Sequence, residues 1–268
     1  MSHRRRTALI TGASAGIGRE FAREYARRGC DLILTARREA RLIALAAELR
    51  QAHGVKVTVL PADLSSPIAP GLLSAAITGQ GLAVDILVNN AGYGVPGAFM
   101  SSPWQMHADF QQVMINAVAE LCHRFIPGMK EGGGGTIINV ASLAGHLPGT
   151  AGHTLYAPAK AWMIRFTECL APELAPHGIR VLALCPGFTY SEFHDVSGMR
   201  ERVRHLPRWL WRDAPTVVRE GIAAAERGEV VHITGWPNRL IAIAARLLPR
   251  ALLARAFARH QRHFRDAH

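Results

Sequence analysis

Lysine is nearly absent from this chain. It stands only at Lys56, Lys130 and Lys160, and arginine supplies the rest of the positive charge. A lysine set beside a reactive group therefore carries more information here than in an ordinary sequence. Cysteine is scarce as well: Cys30, Cys122, Cys169 and Cys185 lie far apart with no Cys-x-x-Cys spacing. That pattern excludes a disulfide framework and a thiolate metal site, and reads as reduced core thiols in a cytosolic protein. No apolar run approaches the roughly 18 residues that a membrane-spanning helix requires. The arginines near the start precede only Ala8-Leu9-Ile10 before Thr11 and Gly12, too short a core for a secretory signal. Low hydrophobicity is also missing. Of the 268 residues, 49% are hydrophobic and 19% charged, which excludes a disordered chain and allows one large core. The formal charge is +11, yet no recognition motif accompanies it, so nucleic acid is not an expected partner.

What is present is alternation. Short runs rich in Val, Ile and Leu occur at Thr7–Ile10, Leu32–Thr35, Val55–Leu60, Ile86–Asn89, Thr136–Val140, Arg180–Leu184 and Val230–Thr234. Helical patterns fill the gaps at Ile17–Arg28, Arg41–His53, Trp104–Met129 and Leu155–Pro176, and three of them end at Gly29, Gly54 and Gly178. Continuously apolar strands alternating with helices predict an α/β fold, a parallel sheet covered on both faces.

The stretch Thr11-Gly12-Ala13-Ser14-Ala15-Gly16-Ile17-Gly18 falls between the first strand and the first helix. Glycines there permit a tight turn, let backbone N–H groups approach a pyrophosphate, and let the helix pack close to the strand. A plain structural turn is the competing reading, and the placement favours dinucleotide binding. Asp63 and Leu64 follow the third strand. Asp63 suits an adenine amine, or alternatively a turn. Asn89-Asn90-Ala91-Gly92 ends the fourth strand, where open α/β sheets bind ligands, and its small residues suit a backbone lying close to a ribose.

Tyr156-Ala-Pro-Ala-Lys160 puts a phenol and an ammonium on one helix face. A neighbouring cation is expected to lower the tyrosine pKa, which would make Tyr156 a proton donor to a carbonyl oxygen. Ser142, after the fifth strand, can reach the same oxygen. Pro158 is tolerated between the pair if the helix begins near Leu155, because a first-turn residue needs no intrahelical N–H.

TGASAGIG, NNAG, Asn116, Ser142, YxxxK and Pro186-Gly187, in that order over about residues 6–235, resemble the short-chain dehydrogenases/reductases. The resemblance implies a Rossmann-type, doubly wound sheet of seven mostly parallel strands, a nicotinamide dinucleotide and no metal. It implies Tyr156 as acid/base and Lys160 as the group that lowers its pKa and holds the nicotinamide ribose. Ser142 would orient the substrate carbonyl, Asn116 would support a proton path to Lys160, and Thr189, in Pro186-Gly187-Phe188-Thr189, would bond the nicotinamide amide. Ser142 lies fourteen residues before Tyr156, one more than the family's usual spacing, and the loop Ala144–Thr154 is expected to absorb the difference. The cofactor set is then Gly12, Ser14, Ala15, Gly16, Ile17, Gly18, Asp63, Leu64, Asn90, Ala91, Gly92, Asn116, Tyr156, Lys160, Pro186, Gly187 and Thr189, with Arg37 added below.

The second strand exits into Thr35-Ala36-Arg37-Arg38. An acid there would bind a free 2′-hydroxyl, whereas arginine pairs with the 2′-phosphate of NADP. Ala36 stands where an acid would, so NADPH/NADP is expected over NADH, with Arg37 as the contact. Solvated helix-entry charges are the alternative for Arg37 and Arg38.

Residues Phe188–Asp213, rich in large apolar side chains and arginine, suit a substrate lid or a packing pair of helices. Beyond residue 235 the chain reads as two short basic amphipathic helices broken at Pro249. They suit packing, a dimer or tetramer contact, or peripheral attachment to an anionic membrane surface. The expected activity is NADPH-dependent reduction of a ketone or aldehyde on an apolar substrate. An NADP-dependent alcohol or hydroxysteroid dehydrogenase and a non-catalytic NADPH-binding protein are the alternatives.

Overall fold

The computed structural model describes residues 4–95, 97–149, 152, 154–190 and 207–248. Its centre is a seven-stranded parallel sheet. The strands are β1 (Thr7–Thr11), β2 (Asp31–Thr35), β3 (Val57–Val59), β4 (Ile86–Asn89), β5 (Gly135–Val140), β6 (Ile179–Cys185) and β9 (Val231–Ile233), in spatial order β3-β2-β1-β4-β5-β6-β9. The order reverses direction between β1 and β4, and the crevice outside the carboxyl ends of those strands is where such sheets hold ligands. Two further short strands, β7 (Phe188–Tyr190) and β8 (Trp211–Asp213), pair with each other beside the main sheet.

Period-two alternation builds a core on each face. Ala8, Ile10, Leu32, Leu34, Ile138, Leu182 and Leu184 point to one side. There they meet Phe21 and Tyr25 of α1 (Gly16–Arg27), Leu42 and Leu49 of α2 (Glu39–His53), and Val217 and Ile222 of the helix Ala214–Glu226. Leu9, Ile33, Leu87, Ile137 and Val181 point to the other. Their partners lie on α3 (Ala69–Gly79), α5 (Ala117–Glu131) and α6 (Tyr156–Leu174). The described residues thus match the doubly wound α/β class the sequence predicts.

Several details differ from the sequence expectation. The single helix expected over Trp104–Met129 is broken into α4 (Trp104–Gln111), a wide π-type turn over Gln112–Asn116, and α5. Such turns add a residue without ending the helix, so periodicity hides them. Helices α3 and Ala214–Glu226, here α7, are additions to the expected set. For α7 the sequence does carry a signal: Asp213 accepts the Thr216 N–H at 2.7 Å and Pro215 follows in the first turn. Cys30, Cys122 and Cys185 are buried as expected, but Cys169 is exposed, because its position on α6 faces away from the sheet. The first expected tail helix is present as α8 (Trp236–Leu247). The second lies outside the described residues, as does most of the expected lid, residues 191–206.

Candidate active site

The carboxyl end of β1 runs into the glycine loop, and β4 locks it in place. Thr11 Oγ1 donates to Val88 O at 3.2 Å and accepts the N–H groups of Asn90 and Ala91, each at 2.9 Å. Asn90 Nδ2 donates back to Thr11 O at 2.9 Å. Gly12 holds φ at +66°, and a Cβ there would lie 2.8 Å from Asn90 Nδ2 and 2.9 Å from the Ala91 Cα. A Cβ on Gly18 would collide with the Gly12 carbonyl. The visible work of Asn90 and Ala91 is therefore to fix the loop.

Ala15 precedes α1 in extended conformation, and no side chain caps the helix. The first-turn N–H groups at Gly16, Ile17 and Gly18 thus face the loop without helical partners, beside a cradle that any side chain would fill. That arrangement fits the pyrophosphate of a dinucleotide.

At the end of β2, Arg38 reaches across to Ser14, with Nε and Nη2 donating to its Oγ at 3.2 and 3.1 Å. Arg37 is exposed beside it. Two arginines and a loop hydroxyl thus follow one another at this strand end, and Arg38 is bonded to the loop hydroxyl. Asp63 Oδ1 accepts the Ser65 N–H at 3.1 Å and the Ser65 hydroxyl at 2.9 Å, the turn geometry weighed as its plain role. Leu64, next to it, packs in the core beneath.

The other half of the site hangs on β5 and α6. Ser142 caps a short 3₁₀ turn, Leu143–His146, its Oγ accepting the Ala144 N–H at 3.1 Å. Gly145 in that turn sits so close to α6 that a Cβ would come within 2.8 Å of the Lys160 carbonyl carbon and 2.9 Å of Ala161 N. This contact holds the Ser142 turn against α6, and the Ser142 hydroxyl lies near enough to the Tyr156 phenol to lower its pKa. Helix α6 begins at Tyr156, so Pro158 falls in the first turn as expected.

Lys160 is 5% exposed, and its Nζ donates to Val140 O at 2.7 Å, 5.8 Å from the centre of the Tyr156 ring. The expected lowering of the tyrosine pKa is not what this arrangement produces. Burial pushes the phenol up to about 12, and only the Ser142 hydrogen bond opposes it. Burial also brings Lys160 down to about 8, against the charge of the Cys185 thiolate form, which favours the ammonium. Desolvation is the largest cause at both groups, and the Lys160 ammonium is not among those acting on the phenol.

Asn116, on the last residue of the π turn, donates from Nδ2 to Gln112 Oε1 at 2.9 Å. It is placed by that turn and makes no direct bond to Lys160. Beneath the two halves runs a buried relay. Asn89 Nδ2 donates to Asn139 Oδ1 at 2.9 Å, Asn139 Nδ2 to Thr167 Oγ1 at 2.9 Å, and Thr167 Oγ1 to Met163 O at 2.8 Å. It ties β4 and β5 to α6 at fixed spacing.

Pro186 and Gly187 follow β6. Pro186 O accepts the Leu143 N–H at 2.8 Å, which joins this segment to the Ser142 turn. Gly187 lies against buried Asn238 of α8 with no room for a Cβ, and Thr189 Oγ1 donates to Gly187 O at 3.1 Å. Gly92 packs on Met114 Sδ at the base of the π turn. Beside Tyr156 lies a small recess of about 10 Å³, partly open to solvent, walled by Val95, Phe99, His107, Phe110, Thr154 and Leu155. Sequence reasoning missed this wall. His107 is held by Phe99, with Nε2 2.8 Å from its carbonyl and the rings stacked at 4.7 Å. Among the described residues no group of His, Cys, Asp or Glu could hold a metal.

Residues 6–201 match the family described as short chain dehydrogenase. An uncharacterized oxidoreductase of Myxococcus xanthus is 32% identical over 255 residues, 95% of this chain and 97% of that one. A very-long-chain 3-oxoacyl-CoA reductase of Laccaria bicolor is 32% identical over 191 residues, and the match spans only 56% of that protein's length. Among solved structures, a Sphingobium yanoikuyae short-chain dehydrogenase in complex with NADPH superposes with a TM-score of 0.79 at 31% identity, covering 98% of this chain and 96% of that one. A bulky-bulky ketone specific alcohol dehydrogenase from Comamonas testosteroni gives 0.75 at 30% identity, covering 93% and 94%.

Proposed function

This chain belongs to the short-chain dehydrogenase family, oxidoreductases acting on CH–OH and C=O groups with NAD(P), and we propose that it is an NADPH-dependent carbonyl reductase of an apolar ketone or aldehyde. The observation that carries the reading is buried Lys160, its Nζ fixed 2.7 Å from Val140 O and 5.8 Å from the centre of the Tyr156 ring, with Ser142 acting on the same phenol.

A dinucleotide held here would supply the hydride. The protein supplies the rest. The uncapped start of α1 and the side-chain-free glycines receive the pyrophosphate. The Asn90–Thr11 lock keeps that loop rigid, so little order is lost on binding. Ser14, Arg37 and Arg38 form a cationic rim with no acid at Ala36, and a 2′-phosphate is the group such a rim favours. Ser142 positions the substrate carbonyl oxygen beside the Tyr156 hydroxyl, which gives that oxygen its proton. A phenol keeps its proton at neutral pH, as the donor role in the reductive direction requires. Lys160, fixed through Val140, presents its ammonium to the ring and to a ribose hydroxyl. Val95, Phe99, Phe110 and Leu155 exclude water from the acceptor side.

A panel of oxoacyl thioesters, steroids, quinones and small ketones, assayed with NADPH and with NADH, tests the reading. Turnover of at least one apolar carbonyl with NADPH preferred is expected. Tight NADPH binding with no turnover across the panel would leave a binding protein instead.

A further inference from the structure

Helix α8 has two apolar faces, and only one of them is used. Pro237, Asn238 and Ala242 are buried against the body of the protein, with Asn238 Nδ2 donating to Thr234 O at 2.8 Å and its side chain pressed on Gly187. On the opposite side stand Trp236, Leu240, Ile243 and Leu247, exposed by 69%, 55%, 53% and 77%. Their spacing of four, three and four residues gathers them in a sector of about 60° along three turns of helix. Exposed large side chains scattered singly need no explanation, but a continuous stripe marks a contact surface. Trp209, also exposed, lies on the turn Arg208–Leu210 that packs against this helix.

The charge around the stripe has one sign. Arg239 and Arg246 flank it on the same side, and α8 contains no acidic residue. Arg239 is held in place, its Nε donating to Ile233 O at 2.9 Å. In sequence, the chain from 236 to 268 carries Arg239, Arg246, Arg250, Arg255, Arg259, Arg262 and Arg265 against Asp266 alone. A second copy docking through the same stripe would bring Arg239 and Arg246 near their own equivalents, since a two-fold contact pairs each patch with itself. An anionic lipid surface complements this positive charge. Trp236 at the start of the stripe supplies the amphipathic ring that suits the headgroup level. Among the described residues no helix is long and apolar enough to cross a membrane, so the contact is lateral.

We propose that the outer face of α8 seats this protein on the surface of an anionic lipid bilayer, with Trp236, Leu240, Ile243 and Leu247 entering the headgroup boundary and the arginines meeting phosphate. This is a helix lying in the interface plane, bound by apolar area plus charge. The inference stands apart from the catalytic reading, because it rests on a face that the active site does not use.

The test is co-sedimentation of the full chain with vesicles of phosphatidylcholine alone and of phosphatidylcholine mixed with phosphatidylglycerol. Binding to the mixed vesicles only is expected, with release near 1 M salt, where the screening length falls to about 3 Å. Leu240→Glu with Ile243→Glu should weaken partition by about tenfold or more, since both apolar contacts are lost. The variant's thermal unfolding should match the parent, because neither side chain is buried. As a conservative check, Trp236→Phe should reduce the quenching of tryptophan emission by brominated lipid. No partition into anionic vesicles overturns the proposal, and so does unchanged binding of the double variant or unchanged quenching in Trp236→Phe. A parent that sediments as a dimer without vesicle binding, and a double variant that sediments as a monomer, assigns the stripe to a second copy instead.

Discussion

The two halves of the active site are built on different principles. The cofactor half, between β1 and β4, is made of backbone: two positive-φ or side-chain-free glycines, an uncapped helix start, and Thr11 and Asn90 locking one loop to the other. Its chemistry depends on what is missing, a Cβ here and a capping side chain there. The proton half, between β5 and α6, is made of side chains whose properties are set by burial. There the approach of one turn to one helix decides whether Ser142 meets Tyr156. The first half is specified by local sequence. The second is specified by packing between segments that are distant in space until the fold forms. The buried relay Asn89–Asn139–Thr167 couples the two by holding their strands and helix at fixed separation.

Substitutions can separate the halves, and the largest effect is expected at Gly12. Gly12→Val places a branched side chain at φ +66°, where it would also meet Asn90 and Ala91. Strain and crowding together cost a few kcal/mol, so NADPH affinity should fall by about 10²-fold or more. Fluorescence titration measures this, and an affinity within a few-fold of the parent would mean that the loop does not hold the cofactor.

Gly145→Val is the opposite cut. It pushes the Ser142 turn off α6 and should lower kcat/KM by about 10²-fold, as expected for misplacement of about 1 Å at a reacting group. NADPH affinity should stay within about twofold. Parallel loss of affinity and turnover would show that the halves are not separable.

At the rim, Arg37→Ala and Arg38→Ala should each lower the preference for NADPH over NADH, by about tenfold for loss of one charge-assisted contact. Arg38→Ala also frees Ser14, so the pair decides which arginine meets the phosphate. Equal loss for both cofactors would rule out a 2′-phosphate contact at this rim.

A separate effect, on stability, comes from the proton half. The Lys160 pKa is depressed from 10.5 to about 8, so between those values the unfolded chain holds a proton that the folded one has released. Stability contributed by this residue therefore rises with pH across that window, and below about pH 8 the burial penalty is constant. Denaturant melts at pH 8 and 10 should show Lys160→Met lacking that rise. Tyr156, raised from 10 to about 12, acts with the opposite sign only above pH 10.

Much of this architecture is legible in the order of the amino acids. The seven sheet strands, the glycine loop, the Tyr156–Lys160 face and the Pro158 position follow from period, turn chemistry and spacing. The features that are not legible share one cause: they depend on which segments meet in space. The sign of the Tyr156 pKa shift depends on burial, and YxxxK carries the charge but not the solvent exposure. Gly145 reads as a loop glycine until α6 arrives against it. The π turn at Gln112–Asn116 keeps helical periodicity and hides in it. Arg37 and Arg38 are indistinguishable in a line of letters, and only the fold brings Arg38 to Ser14.

The division of labour between the halves requires Tyr156 to donate the proton while the other half holds the cofactor without it. Single-turnover oxidation of bound NADPH by an apolar ketone, compared in the parent and in Tyr156→Phe, tests this most directly. The variant's rate should be lower by about 10³-fold or more, within the usual range for removing a positioned proton donor, with an unchanged NADPH dissociation constant. Turnover in Tyr156→Phe within a few-fold of the parent would contradict it.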